Sequence, residues 1–500
     1  MKAHLMHRDR EFDLQKELPW NEADLGEDLE LGTLLAAMAG DDRFLFDVAK
    51  AALFSGTEND VDTILYRQAA LRDCLKNATA VRDLYGLTVK VVEKTRRQWW
   101  NLSSHYADSV LFSSVELMES LLEMLKALRD MAVAAGGHFD SEAFTTLFAM
   151  LTRELDDEYL GRISTHLTEL NFRGGVLLSA ALGENNEGSS YELRQAGATR
   201  PKWLRRLFKK DGDGLTFHLD DRDEAGAQIL SDMRQRGISR VAITLAQSVD
   251  HVLSFFKMLR TELAFYIGGL NLHDRLAAKE EPICFPDPVA AGERKLGFRG
   301  LYDVCLSLHM ESRVVGNTVN ADGKSLILVT GANQGGKSSF RRGVGLAQLM
   351  MQCGLFVGAE AYRGEICTAL LTHSIREEDT TMKSGKFDEE LARMSRIVDH
   401  LAPDALLLFN ESFAATNERE GSEIARQIVL ALLEKRVKIL FVTHLYEFAH
   451  GLFDSQREDT LFLRAERKTD GTRTFRLIEA EPLATSFGKD LYHRIFERPA

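Results

Sequence analysis

Nowhere does the chain approach the roughly 20 consecutive apolar residues that a helix needs to cross a bilayer. Its opening residues, MKAHLMHRDREFDLQKELPW, hold no apolar run of signal-peptide length. No membrane association is expected, and the expected location is the cytoplasm. Cysteine is scarce: the five residues Cys74, Cys284, Cys305, Cys353 and Cys367 are odd in number and far apart, with neither CxxC spacing nor a nearby histidine pair. That argues against a disulfide framework or zinc site and for reduced core thiols. Positive charge is also short, with 62 Lys and Arg against 75 Asp and Glu and a net charge of -13. A chain coated in basic residues for nucleic acid is excluded, so any DNA contact must be regional. What is present is apolar content of 45% with 27% charged residues, a globular balance, over 500 residues, which exceeds one hydrophobic core and implies two or more domains.

Two rhythms divide the chain. Up to about residue 280 the period is helical. In ADSVLFSSVELMESLLEMLKALRD, Leu111, Val115, Met118, Leu122 and Leu125 recur at steps of four and three. In SVDHVLSFFKMLRTELAFYIGGLNL, Val249, Val252, Phe256, Leu259, Leu263, Tyr266 and Leu270 do the same, and the pattern is expected to end near Gly268 and Gly269. Helices packed in an α-helical domain suffice for both. Between them GENNEGSSYELRQAGATRPKWLRRLFKKDGDG, residues 183 to 214, reads as an excursion from the helical body. EEPICFPDPVAAGERK reads as a linker. Beyond it SLILVT, ICTALL, ALLLF and KILFVT alternate with helical patterns, as in an α/β sheet covered by helices. TLFLRAERKTDGTRTFRLI predicts a hairpin turning at Asp470-Gly471, followed by a last amphipathic helix.

The chemistry concentrates in LILVTGANQGGKSS. From Gly331 to Ser338 it matches G-x-x-x-x-G-K-[ST], directly after a strand and before a helix. Glycine lets successive backbone N–H groups turn toward phosphates, and the helix start adds its positive dipole end. Lys337 is expected to bridge the β- and γ-phosphates and Ser338 to give its hydroxyl oxygen to Mg²⁺. An accidental glycine-rich turn has odds on the order of a few per cent in a chain of this length. Downstream, ALLLFNES delivers Asn410 and Glu411 to the carboxyl end of a strand, where α/β sheets bind ligands. Glu411 is positioned to act as general base on water. KILFVTH ends a further strand at His444, a candidate partner of the γ-phosphate or the attacking water. A lone histidine there is more often structural, so His444 gains weight only from its company.

TGANQGGKSS, LLLFNES with FAATNEREG, and FVTHLYEF together resemble the ATPase domain of the MutS family of DNA mismatch-repair proteins, a branch of the ABC-type ATPases. The family loop reads close to TGPNMGGKST. Gly331, Asn333, Gly335, Gly336, Lys337 and Ser338 match it, while Ala332, Gln334 and Ser339 depart conservatively in size. The resemblance implies that residues 331 to 339 bind ATP. The family's Asp-Glu strand end falls on Asn410 and Glu411, its following loop on Ala415, Thr416, Asn417 and Gly421, and its Thr-His pair on Thr443 and His444. In such sites the strand aspartate holds the waters of Mg²⁺ from the second shell. Asn410 keeps an acceptor oxygen without the charge, which costs about 1 kcal/mol. A slow, Mg²⁺-demanding ATPase is therefore expected. The family's Ser-Gly-Arg segment, which reaches a partner subunit's nucleotide, best fits Ser384, Gly385 and Lys386, although the residues after Lys386 diverge.

The implied architecture is multidomain: an all-α core and lever (helical arm) domain followed by an α/β P-loop ABC-type ATPase domain. The ranges are 1–28 for an N-terminal segment, 29–290 for the helical part with a clamp-like excursion about 171–240, and 291–500 for the ATPase. The start of the chain leaves no room for the family's mismatch-reading N-terminal domain with its Phe-x-Glu wedge, and no C-terminal nuclease-like extension is visible, so direct mismatch reading is not expected. One loop per chain implies a homodimer with two composite ATP sites. For double-stranded or branched DNA the candidate is TRPKWLRRLFKK, in which Arg200, Lys202, Arg205, Arg206, Lys209 and Lys210 alternate with Trp203 and Phe208. A solvated amphipathic face has about even odds there. KTRRQWW reads as a core-edge segment with Trp99 or Trp100 buried. A different class stays open, an ATP-gated dimeric scaffold whose arms bind protein rather than DNA. A small-molecule kinase leaves the long helices and the Thr443-His444 strand end without a role.

Overall fold

The computed structural model describes residues 1–98, 106–172, 175–183, 188–194, 220, 222–375, 385–468 and 471–484. Arg200, Lys202, Arg205, Arg206, Lys209, Lys210, Ser384, Trp99, Trp100 and the expected last helix lie outside them.

A helical region comes first. It comprises α1 (Glu22–Asp28), α2 (Leu31–Ala39), α3 (Arg43–Phe54), α4 (Val61–Lys76), α5 (Ala78–Gln98), α6 (Ala107–Ala135), α7 (Glu142–Glu154) and α8 (Asp157–Leu170). The hairpin β1 (Leu177–Leu182) and β2 (Gly188–Arg194) follows, then the 54-residue α9 (Glu224–Ala277). Capping explains several starts: the carboxylates of Asp42, Asp60 and Asp156 accept from backbone N–H groups in the first turns of α3, α4 and α8. The antiparallel hairpin, at the near edge of the expected excursion, departs from an all-helical reading.

Mixed α/β structure follows. A four-stranded sheet of order β3-β7-β4-β5 is built from β3 (Asp287–Val289), β4 (Leu296–Leu301), β5 (Asn317–Asn320) and β7 (Ala361–Glu365). A six-stranded sheet of order β12-β11-β6-β10-β9-β8 contains β6 (Leu326–Gly331), β8 (Leu370–Ser374), β9 (Leu406–Asn410), β10 (Lys438–Val442), β11 (Thr460–Arg467) and β12 (Arg473–Glu479). β8, β9, β10, β6 and β11 run parallel, and β12 returns antiparallel along β11. The accompanying helices are α10 (Val304–His309), α11 (Lys337–Cys353), α12 (Lys386–Asp399), α13 (Glu418–Glu434) and α14 (Tyr446–Asp454). The central strands are apolar without alternation because both faces are covered. Phe409 and Phe441 stack there at 4.5 Å.

Two compact units result, neither of them one continuous stretch. The first comprises residues 1–3, 82–138 and 145–260, the second 4–81, 139–144 and 261–500. In the first, Leu111, Val115, Met118, Leu122 and Leu125 of α6 are all buried, as their spacing predicts. In the second, α11 is buried along nearly its whole length.

Three expectations are corrected. α9 does not end at Gly268 and Gly269 but continues to Ala277. The glycines make room for neighbours: a Cβ on Gly269 would meet Leu71 Cδ1 at 2.9 Å and one on Gly268 would meet Met38 Cε at 3.2 Å. The segment read as a linker contributes β3, whose Pro288 is tolerated because β3 is an edge strand. The strand expected at ICTALL begins only at Leu370.

Candidate functional site

β6 runs fully buried from Leu326 to Thr330 and breaks at Gly331, whose φ is +111°. A Cβ there would lie 2.8 Å from the Ala465 backbone nitrogen, so neither the dihedral nor the space admits a side chain. Gly336, at φ +90°, turns the chain into α11. Between them Ala332 and Gly335 are buried, Asn333 and Gln334 are exposed at the crest, and Ser338 and Ser339 open the helix. Lys337 is 5% exposed and its Nζ donates to the carbonyls of Gly331 (3.1 Å) and Ala332 (3.0 Å). Burial brings its pKa from 10.5 down to about 8; Glu411 opposes the shift and Arg473 adds to it.

β9 ends beside the loop. The Ser338 hydroxyl donates to Asn410 Oδ1 at 3.2 Å, putting two neutral oxygens side by side at the helix start. Glu411 follows with a left-handed φ of +56°, a conformation that costs a non-glycine residue about 1 kcal/mol or more. It is held there by its N–H donating to Val442 O at 2.8 Å. Its carboxylate lies 2.9 Å from His444 Nε2. The hydrogen bond from His444 is the largest cause of a pKa below the usual carboxylate range, helped by the charges of His444 and Lys337 and opposed by burial. Glu411 is therefore ionised at neutral pH and able to accept a proton. Thr443 anchors the neighbouring strand end through its N–H to Val329 O (3.0 Å) and its hydroxyl oxygen to Leu445 N (3.0 Å). Residues 331–339, Asn410, Glu411 and His444 thus converge from β6, α11, β9 and β10. Gly385 and Lys386 stand at the start of α12.

Other groups reach this edge without a local sequence signal. Arg473, at the start of β12, donates from Nη1 to Gln334 Oε1 at 3.4 Å across 139 residues. Phe475, left-handed at φ +60° and 50% exposed, sits over Gly336, and its carbonyl accepts from Asn317 Nδ2 at 3.4 Å. A cavity of about 370 Å³, mostly apolar, opens beside the loop between Tyr302, Val314, Val315, Ser339, Phe340 and Phe475. Behind Glu411, Glu390 of α12 accepts the N–H of Phe413. His373 of β8 links Ser412 Oγ (2.7 Å) to the Glu390 carbonyl (3.0 Å). Burial pushes the His373 pKa down to about 4. A neutral ring has one N–H, so Nε2 donates to the carbonyl, while Nδ1 and the His373 carbonyl, at 2.7 and 2.9 Å, share the single proton of the Ser412 hydroxyl. The alternating pattern of the C-terminal hairpin marks the strands; only the three-dimensional pairing with β6 brings Arg473 and Phe475 to the loop.

These features define a class: a parallel α/β sheet whose glycine loop, buried lysine and ionised strand-end glutamate meet at the carboxyl edge. Two family models match the chain, one described as the MutS2 N-terminal domain over residues 59–279 and one as MutS domain V over residues 327–494. The chain belongs to the MutS family. A DNA mismatch repair protein MutS of Leptospira interrogans is 28% identical over 251 residues, covering 48% of this chain and 29% of that protein. The MutS of Desulfitobacterium hafniense is 30% identical over 190 residues, covering 37% and 22%. MutS protein homolog 4 of Mus musculus is 28% identical over 168 residues, covering 34% and 17%. The chain spans less than a third of the length of these relatives.

Proposed function

We propose that this chain binds ATP with Mg²⁺ at residues 331–339 and hydrolyses it slowly, and that the nucleotide drives a dimeric clamp on DNA in repair or recombination. The observation that carries the reading is the convergence of Lys337, Ser338, Asn410, Glu411 and His444 on one glycine loop. Lys337 exchanges its two carbonyl acceptors for phosphate oxygens, and the loop's N–H groups and the start of α11 face the same charge. Glu411 takes the proton of the attacking water while His444 orients its carboxylate. The cavity beside Ser339 and Phe340, where Phe475 offers an aromatic face, would take the adenine ring.

The paired oxygens of Ser338 and Asn410 are a hard, neutral donor set, which suits a cation that keeps most of its ligands as phosphate and water. Mg²⁺ bound there supplies charge neutralisation at the phosphates. Ser384 and Lys386 reach the partner subunit's nucleotide, so that ATP joins two copies of the chain. The helical part, residues 29–290, forms the core and lever, and the cationic segment from Arg200 to Lys210 grips the duplex.

The test is ATP turnover by purified protein at saturating Mg²⁺ against Lys337→Ala. Turnover well above the variant is expected. Equal rates in the two proteins defeat the hydrolytic reading, and light scattering that finds a monomer with and without ATP defeats the dimeric one.

A further inference from the structure

Building on the nucleotide reading above, we propose that Arg473 is a second phosphate-binding cation of this site, held over the glycine loop by Gln334. The guanidinium has little else to do. Its bond to Gln334 is long, at 3.4 Å, and its Nε is buried without a hydrogen-bond partner. Among the described residues no carboxylate lies within ion-pair distance of it. Lys337 follows Gln334 by three residues on the same loop, with its Nζ on the carbonyls of Gly331 and Ala332. Two cations therefore share one neighbourhood. The Glu411 carboxylate at the neighbouring strand end already accepts from His444.

Like charges brought together at a partly desolvated site cost free energy in the empty protein, and a polyanion entering between them reverses the sign. A guanidinium suits that task because its planar fork meets two phosphate oxygens at once. The strand geometry fits as well. Arg473 and Phe475 both stand against the glycine loop, the first bonded to Gln334 and the second over Gly336, where the left-handed Phe475 and a register shift against β11 interrupt the regular alternation of β12. Leu477 N donates to Asn317 Oδ1 at 2.7 Å, tying β12 to β5. Beside the Phe475 contact with Asn317, this bond fixes the strand that presents a cation to the loop and an aromatic ring to the cavity. Gln334 stands where the related loop reads Met, so the amide oxygen that tethers Arg473 is a feature of this chain. Its φ of +58° holds it at the crest of the loop.

The experiment is ATP binding by calorimetry on the full chain, with turnover measured in parallel, for wild type, Arg473→Ala, Arg473→Lys and Gln334→Met. Arg473→Ala should weaken ATP binding roughly tenfold or more, the loss expected for a hydrogen-bonded charge. It should also flatten the salt dependence of Kd, while the melting temperature of the nucleotide-free protein stays level or rises because a repulsion is removed. Arg473→Lys should recover part of the affinity, having the charge without the fork. Gln334→Met should weaken ATP severalfold with the charge intact. No ATP affinity in the wild type overturns the nucleotide reading itself. Wild-type affinity that Arg473→Ala leaves within twofold overturns the role of Arg473 alone, as does an affinity loss matched by a fall in the melting temperature without nucleotide.

Discussion

Asn410 is where this chain departs most from a conventional nucleotide hydrolase, and its neighbours show what the departure costs. The amide oxygen still meets the Ser338 hydroxyl at 3.2 Å, so the donor position survives and only its charge is missing. Asn410→Asp should lower the Mg²⁺ concentration for half-maximal turnover about fivefold, reflecting ~1 kcal/mol between a neutral and a charged hydrogen bond. A Mg²⁺ titration in which wild type and variant coincide removes Asn410 from the cation's surroundings. Lys337 makes a second residue-scale prediction. Its folded pKa of about 8 lies below the ordinary 10.5, so between these values the unfolded chain binds more protons and stability of the nucleotide-free protein rises with pH. ATP needs the ammonium form. Its affinity should therefore fall by up to tenfold per pH unit above about 8, in the direction opposite to stability. Calorimetry in buffers on either side of that value checks the slope; a flat profile means that Lys337 does not carry the proton on which binding depends.

At the scale of elements, α12 fixes the segment that carries Glu411. Glu390 holds the N–H of Phe413 and His373 bridges Ser412 to α12, so residues 411–413, two of them left-handed, are gripped from behind. Burial raises the Glu390 pKa, and the oxygen not bonded to Phe413 is buried without a partner, an environment that favours the neutral acid. Glu390→Gln keeps the acceptor and should turn over ATP within twofold of wild type. Glu390→Ala leaves the Phe413 N–H unpaired and should lower kcat about tenfold with KM little changed, a split that steady-state kinetics reads directly. Equal kcat values for the two variants separate α12 from the placement of Glu411. None of this grip was legible in the sequence. The glycine loop, the strand ends at Asn410 and His444 and the stripe of α6 were legible, because spacing within a few residues dictates them. Glu390, His373, Arg473 and Phe475 act across distances of 17 to 158 residues. No local period encodes such pairs; they follow from the order β12-β11-β6-β10-β9-β8, which only folding determines. The linker reading of residues 280–295 failed for a related reason: prolines excluded from a central strand are admitted at an edge, and edge or centre is a property of the sheet.

For the whole molecule, the decisive quantity is charge. A chain of net charge -13 repels a duplex everywhere except where cations are concentrated, and TRPKWLRRLFKK places six of them within eleven residues, Arg200 to Lys210. If all six neutralise phosphates, log K for duplex DNA should fall with log salt at a slope of roughly -5, and Arg205→Glu with Arg206→Glu should reduce that slope by about two while weakening binding at every salt concentration. ATP must change the affinity too, since a clamp worked by the loop at residues 331–338 couples the two ligands, and the coupling is reciprocal: DNA must change ATP affinity by the same factor. A filter-binding series over salt, with and without ATP, on linear and branched duplexes reads slope and coupling together. Binding that ignores salt, nucleotide and the double charge reversal contradicts the clamp and leaves a protein partner as the ligand of the helical arms. A steep slope without coupling contradicts only the link between the loop and the duplex, because electrostatic attraction alone gives the slope, whereas coupling needs ATP to favour one of two arrangements of the chain.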